Sequence, residues 1–156
     1  MDGSFIIVPC KLCGANNRIS KTNLNKKASC GRCHKPLAIP LYQDHPIDAN
    51  DINFKGEVLE YAGVVLVVFW VPWCGACRMV LPILDGLARK YAGRIKIVRV
   101  NVEHSPMTSS YYGINSTPTL HFYKNGILVK TLIGAVPQGE LEEYMNYILS
   151  YAKNAQ

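Results

Sequence analysis

An unbroken apolar run, Val64-Val65-Leu66-Val67-Val68-Phe69-Trp70-Val71, restricts the fold of this chain more than any other stretch. It is rich in β-branched residues and shows no polar alternation, so it reads as a strand covered on both faces. It is also far shorter than the roughly 20 residues that a membrane-spanning helix needs. A strand of that kind has to be flanked by layers that bury it, and the residues on either side supply them.

An extended piece at 46–49 precedes a helix predicted over 54–61, with Asp51 or Asn53 as its N-cap and Ala62-Gly63 as its stop. Beyond the apolar run, Met79, Val80, Ile83, Leu84 and Leu87 recur at helical spacing. They predict a helix over 74–91, kinked at Pro82. Residues 95–101 read as a second buried strand and 106–112 as a short helix. Residues 119–123 and 127–133 form a hairpin closed by Lys124-Asn125-Gly126. Leu141, Tyr144, Met145, Ile148 and Leu149 share one face of a last helix over 138–151. The order β-α-β-α-β-α-β-β-α predicts an α/β fold, a mixed central sheet flanked by helices.

The first 41 residues obey different rules. They carry seven basic side chains against Asp2, which is the whole of the +6 net charge, while the rest of the chain is neutral. About 40 residues rarely build a sufficient core without a metal, disulfides or a partner. Cys10-Lys11-Leu12-Cys13 and Cys30-Gly31-Arg32-Cys33 are separated by sixteen residues, a C-x2-C-x16-C-x2-C spacing that reads as a zinc ribbon. Cys10, Cys13, Cys30 and Cys33 would close a tetrahedral shell around a structural Zn²⁺, with no vacant position for catalysis. Gly14 and Gly31 are expected to give the two turns their backbone freedom, and His34 is a rival ligand that four thiolates make unnecessary. Phe5 is the only aromatic residue among the first forty, so stacking on nucleic acid is not expected. The expected organisation is a zinc ribbon at 1–41, a linker at 42–45 and an α/β domain at 46–156. The short apolar stretch Phe5-Ile6-Ile7-Val8 has no basic residue before it and does not read as a signal peptide. A cytoplasmic setting is therefore expected, where six cysteines mean metal ligation or redox chemistry rather than a disulfide framework.

Cys74-Gly75-Ala76-Cys77 falls where the apolar strand turns into a helix. Only a thiolate attacks a disulfide, and the unpaired N–H groups at a helix start favour an anion there. Cys74 is thus expected to be the nucleophile and Cys77, one turn deeper, the resolving thiol, the pair cycling through a Cys74–Cys77 disulfide. Spacing alone also suits half of a zinc site. The strand–turn–helix setting, and the lack of a second pair at ligand spacing, favour redox work.

Phe69-Trp70-Val71-Pro72-Trp73-Cys74-Gly75-Ala76-Cys77-Arg78-Met79, then Pro82-Ile83-Leu84, Thr117-Pro118-Thr119, Lys124-Asn125-Gly126 and Gly134-Ala135 resemble the thioredoxin family in order and spacing. The likeness covers about residues 46–152. The four-cysteine module resembles that of the zinc-binding second thioredoxin of many bacteria. The resemblance implies a thioredoxin fold and a cis bond before Pro118. It also implies a substrate-docking surface of Trp73, Gly75, Ala76, Thr117, Pro118, Gly134 and Ala135. The implied activity is protein-disulfide reduction with an NADPH-dependent thioredoxin reductase as electron donor and no bound organic cofactor. Three positions depart from the pattern. Ala76 stands where Pro is usual between the cysteines, and Thr117 stands where Ile usually precedes the cis proline. Val68 replaces the buried Asp that takes the proton of the second cysteine, and the usual Lys partner of that Asp aligns with Arg99. His121 is a conceivable substitute base, against the alternative of a satisfied core histidine. Two other readings stay open: an isomerase or oxidant of the same fold, and a zinc-dependent redox-sensing binding protein.

Overall fold

A computed structural model of the 156-residue chain describes residues 5–20, 28–37 and 44–154. They fall in two compact units, one within Met1–Tyr42 and one within Gln43–Gln156. The linker expected at 42–45 opens on Tyr42 and Gln43, which lie outside the described residues.

The first unit pairs β1 (Phe5–Pro9) with β2 (Asn16–Ser20) antiparallel, with Val8 opposite Asn17. β2 is not announced by composition, since Asn16-Asn17-Arg18 lacks the apolar character of a strand. The turn through Cys10–Gly14 imposes the pairing. The Cys10 amide donates to the Ala15 carbonyl at 2.8 Å, and the Gly14 amide to the Cys10 carbonyl at 2.9 Å.

In the second unit a five-stranded sheet has the order β3-β5-β4-β6-β7, from β3 (Ile47–Ala49), β4 (Val64–Trp70), β5 (Ile95–Asn101), β6 (Thr119–Lys124) and β7 (Ile127–Ile133). The β3–β5 and β4–β5 pairs are parallel, while β4–β6 and β6–β7 are antiparallel. The apolar run is the central strand, as its composition requires. Val64, Leu66 and Val68 face α1 (Cys77–Lys90) and α3 (Gln138–Asn154), in a core with Val80, Leu84, Leu87, Leu141 and Met145. Val65, Val67 and Phe69 face the other way, onto Phe54, Val58, Val98, Val100 and Tyr123. Each side chain of this size contributes roughly 1.5–3 kcal/mol on burial. This mixed sheet with helices on its faces is the thioredoxin fold expected above.

Three local expectations are corrected. The helix over 54–61 shrinks to one π-helical turn, Lys55–Leu59, closed by the Glu60 amide on the Lys55 carbonyl. The Lys96 ammonium donates to the Glu57 carbonyl at 2.9 Å and also pairs with the Glu57 carboxylate, satisfying a carbonyl that the end of so short a turn leaves free. Asp51 does not cap this turn. Its carboxylate accepts from the Met107 amide, the Thr108 amide and the Thr108 hydroxyl at 3.1, 2.8 and 2.7 Å, and so caps α2 (Pro106–Tyr111) from far away in sequence. Finally, α1 starts at Cys77 rather than Cys74. Residues 74–76 form a tighter turn, in which the Arg78 amide points to the Gly75 carbonyl at 3.2 Å.

The hairpin turn has Asn125 at φ 50° and Gly126 at φ 81°, the conformation that an Asn-Gly pair favours between twisted strands. Asn125 and Gly63 exchange two hydrogen bonds of 2.9 Å, amide to side chain and amide to carbonyl. A Cβ at Gly126 would collide with the Leu59 carbonyl. β7 lies at the sheet edge, with Ile127, Leu128, Val129, Lys130 and Ile133 all exposed.

Candidate active site and metal centre

β4 ends at Trp70 and α1 begins at Cys77, so the turn between them stands at the end of the central strand. Cys74 and Cys77 are joined there by a disulfide, with Cα atoms 5.2 Å apart. Cys74 is half-buried and Cys77 is 1% exposed. The Cys77 amide donates to the Cys74 sulfur at 3.0 Å. A backbone N–H at the start of a helix therefore points at the sulfur assigned as nucleophile.

Across from the pair lies the loop before β6. The Thr117–Pro118 bond is cis, and the Thr117 carbonyl is 3.3 Å from the Cys74 sulfur. Pro118 is buried, and its carbonyl accepts from the Gly134 amide at 2.9 Å. The structure thus brings Cys74, Cys77, Thr117, Pro118 and Gly134 together. Trp73 is 67% exposed beside them, and Gly75 and Ala135 are exposed.

The departure at Val68 gains a physical setting. Val68 has no exposed surface and belongs to the apolar core on the α1 face. Arg99, its register partner on β5, forms a two-pronged pair with Asp48, Nε to Oδ1 at 2.9 Å and Nη2 to Oδ2 at 3.1 Å. His121 is 3% exposed and packs against Phe69 and Tyr112, with ring centroids 4.9 and 5.5 Å away. Its Nδ1 lies 3.0 Å from the Tyr123 hydroxyl. Phe69 and Tyr123 belong to the core on the opposite side of the sheet from α1. His121 is therefore a satisfied core histidine, separated from Cys77 by the sheet. Burial pushes it down to about 4, so it is neutral at pH 7.

The four other cysteines gather in the first unit, their sulfurs all within 4.8 Å of one another. The Cys10–Cys33 and Cys13–Cys30 sulfurs are 3.7 and 3.6 Å apart. A tetrahedral thiolate shell with Zn–S of about 2.3 Å has edges of about 3.8 Å, so the donor set and its dimensions suit zinc. The two knuckles repeat one shape. The Gly14 and His34 amides donate to the Cys10 and Cys30 carbonyls, both at 2.9 Å. Gly14 at φ 77° and His34 at φ 62° take the left-handed position. The freedom expected of Gly31 is thus needed at His34 instead, while the Gly31 amide is held by Asn17 at 2.8 Å. His34 is exposed and outside the sulfur cluster. Amides of Cys33 and Arg32 pull Cys30 down to about 6. Cys33 is drawn down by the Lys35 amide, but burial and the thiols of Cys10, Cys13 and Cys30 push it up to about 11. Four cysteines this close could hold a metal ion, whose charge would offset the repulsion among their thiolates.

The chain is matched over residues 45–147 by the thioredoxin family model. It is 50% identical over 92 residues to thioredoxin 1 of Synechococcus elongatus, covering 59% of this chain and 86% of that protein. It is 47% identical over 101 residues to a thioredoxin of Porphyra purpurea, covering 65% and 94%. An M-type chloroplastic thioredoxin of Pisum sativum is 49% identical over 94 residues, covering 60% and 55%. Among the described residues, no helix is long and apolar enough to cross a membrane.

Proposed function

Because this chain belongs to the thioredoxin family and is a thiol–disulfide oxidoreductase, we propose that it reduces protein disulfides in the cytoplasm through Cys74 and Cys77, with a zinc ribbon as its first domain. The observation that carries the reading is the Cys77 amide aimed at the Cys74 sulfur at 3.0 Å. A donor fixed there favours the thiolate over the thiol. The Cys74 thiolate attacks one sulfur of a substrate disulfide, forms a mixed disulfide and expels the other sulfur as thiolate. Cys77, once deprotonated, attacks Cys74 and releases the second substrate thiolate, leaving the Cys74–Cys77 disulfide and a substrate reduced by two electrons. Thioredoxin reductase returns those electrons from NADPH. The extended substrate segment docks on Trp73, Gly75, Ala76, Thr117, Pro118, Gly134 and Ala135, the surface that the family resemblance assigns.

The domain organisation goes with this reading: a ribbon at 1–41, a linker at 42–45 and the redox domain at 46–156. Cys10, Cys13, Cys30 and Cys33 hold the zinc. Bound there, Zn²⁺ supplies a structural cross-link and the positive charge that lets four thiols ionise.

The test is insulin reduction driven by NADPH and thioredoxin reductase. Wild type should turn over, Cys74→Ser should be inactive, and Cys77→Ser should accumulate mixed disulfides. Full activity in Cys74→Ser would sink the assignment. A second reading, oxidant or isomerase, is favoured by the absence of an acid at Val68, buried in apolar surroundings. The Cys74–Cys77 potential measured against glutathione decides between them.

A further inference from the structure

Among the described residues, the Asn17 side chain reaches both knuckles of the four-cysteine unit. It lies on β2 and is 9% exposed, a deep position for a polar side chain in so small a unit. Its Nδ2 donates to the Ala15 carbonyl at 3.0 Å and to the Val8 carbonyl at 3.3 Å, both next to the first knuckle. The same nitrogen lies 3.6 Å from the Cys30 sulfur, in the second. Its Oδ1 accepts from the Gly31 amide at 2.8 Å. An amide offers two donor hydrogens and an acceptor oxygen, so the two hydrogens are shared among the Val8 and Ala15 carbonyls beside one knuckle and the Cys30 sulfur of the other, while the oxygen takes the Gly31 amide.

We propose that Asn17 is a positioning residue for the metal centre, fastening the Cys30 knuckle to the Cys10 knuckle and donating a hydrogen bond to the Cys30 thiolate. The inference rests on the zinc reading above. Two consequences follow from the contacts. The Cys30 sulfur is held at the tetrahedral-edge distance from Cys13 by a tie that needs no metal, which pre-forms the shell and tightens binding. The donated hydrogen also withdraws electron density from the Cys30 sulfur, adding a side-chain donor to the Arg32 amide that already points at it at 3.4 Å. The second knuckle repeats the first in its backbone bonds, so the Asn17 contact is a break in an otherwise repeated pattern.

The test uses the full chain, reduced and loaded with zinc or with cobalt as a spectroscopic probe. Wild type should take up one zinc per chain with a four-thiolate cobalt spectrum. If wild type takes up none, the zinc reading fails, and this inference with it. Given wild-type uptake, Asn17→Leu should bind zinc about 10–100-fold more weakly in competition with a chelator, the range typical of lost outer-shell partners. Its thiolate-to-cobalt charge-transfer band should move to lower energy, because one sulfur becomes more electron-rich. Asn17→Asp keeps the acceptor for the Gly31 amide but loses every bond that Nδ2 donates, to the Val8 and Ala15 carbonyls and to the Cys30 sulfur, so it separates those donated bonds from the Gly31 contact. It should stay weak and keep the shifted band. Asn16→Ala, one residue away on the exposed face of β2, should match wild type. An affinity within twofold of wild type in Asn17→Leu, or a wild-type band and affinity in Asn17→Asp, would overturn the proposal.

Discussion

Val68 and Arg99 are register partners across the parallel β4–β5 pair, yet the Arg99 guanidinium turns to Asp48, one strand further out. The acid that the cation meets stands on the sheet edge, and the central position beneath α1 is hydrocarbon. Deprotonating the buried Cys77 therefore proceeds without an adjacent carboxylate at position 68, and burial itself opposes it.

Val68→Asp restores an acid to that place. We expect the mixed disulfide at Cys74 to resolve about tenfold faster or more at neutral pH, the scale of a positioned general base. The carboxyl sits in an apolar core, so stability should fall by about 2–5 kcal/mol. Stopped-flow decay of the mixed disulfide and urea unfolding measure the two effects. An unchanged decay rate would show that proton removal from Cys77 does not limit resolution.

His121 sets a pH dependence of stability and leaves catalysis alone. Its folded pKa of about 4 lies below the ordinary value near 6.5. Between those values the unfolded chain binds a proton that the native protein does not. Stability is therefore full above pH 6.5, falls by at most about 1.4 kcal/mol per pH unit on the way to 4, and levels off below. His121→Gln should flatten that slope in urea titrations while the pH profile of insulin reduction stays in place. A displaced activity profile would contradict the separation of His121 from Cys77 by the sheet.

Asp51 fastens the residues after β3 to α2. Its carboxyl is held below the ordinary carboxylate range, first by the Thr108 hydroxyl and then by the amides of Thr108 and Met107. The stabilisation is present above the unfolded value near 3.9 and is lost as pH falls through the lower folded value. Asp51→Ala should lower Tm by several degrees at pH 7, with the difference vanishing in strong acid. A calorimetric series from pH 7 to 2 checks both statements.

Removing metal under reducing conditions should unfold the first unit alone. Far-UV circular dichroism and limited proteolysis should report loss of structure before residue 43, and zinc should restore it. The redox pair and its sheet belong to the other unit, so insulin reduction should stay within about twofold of the loaded protein. Failure of zinc to restore protease resistance would count against a structural metal.

What could be read from residues alone followed the range of the forces involved. The strands at 95–101 and 127–133 and the Asn-Gly turn were legible, because β-branched character and turn chemistry are local. The start of α1 was displaced by three residues, since helical periodicity marks which face is apolar and not where the i→i+4 ladder begins. The redox cysteines were legible from their strand–turn–helix setting, and the four clustered thiols from spacing. Asp51 and Asn17 were not, because their partners lie 57 and 14 residues away and meet them only through the fold. The sole hint at Asn17 was a polar residue just beyond a knuckle, on a strand that the composition did not announce.

The bare outer strand β7 has a consequence for crowded solutions. A second copy laid antiparallel along Ile127–Ile133 in full register would set Lys130 against Lys130 at the midpoint. Two ammonium groups facing each other across a ladder repel. The isoleucines at the two ends invite adhesion, and the cation halfway between them guards the molecule against polymerising through its own margin.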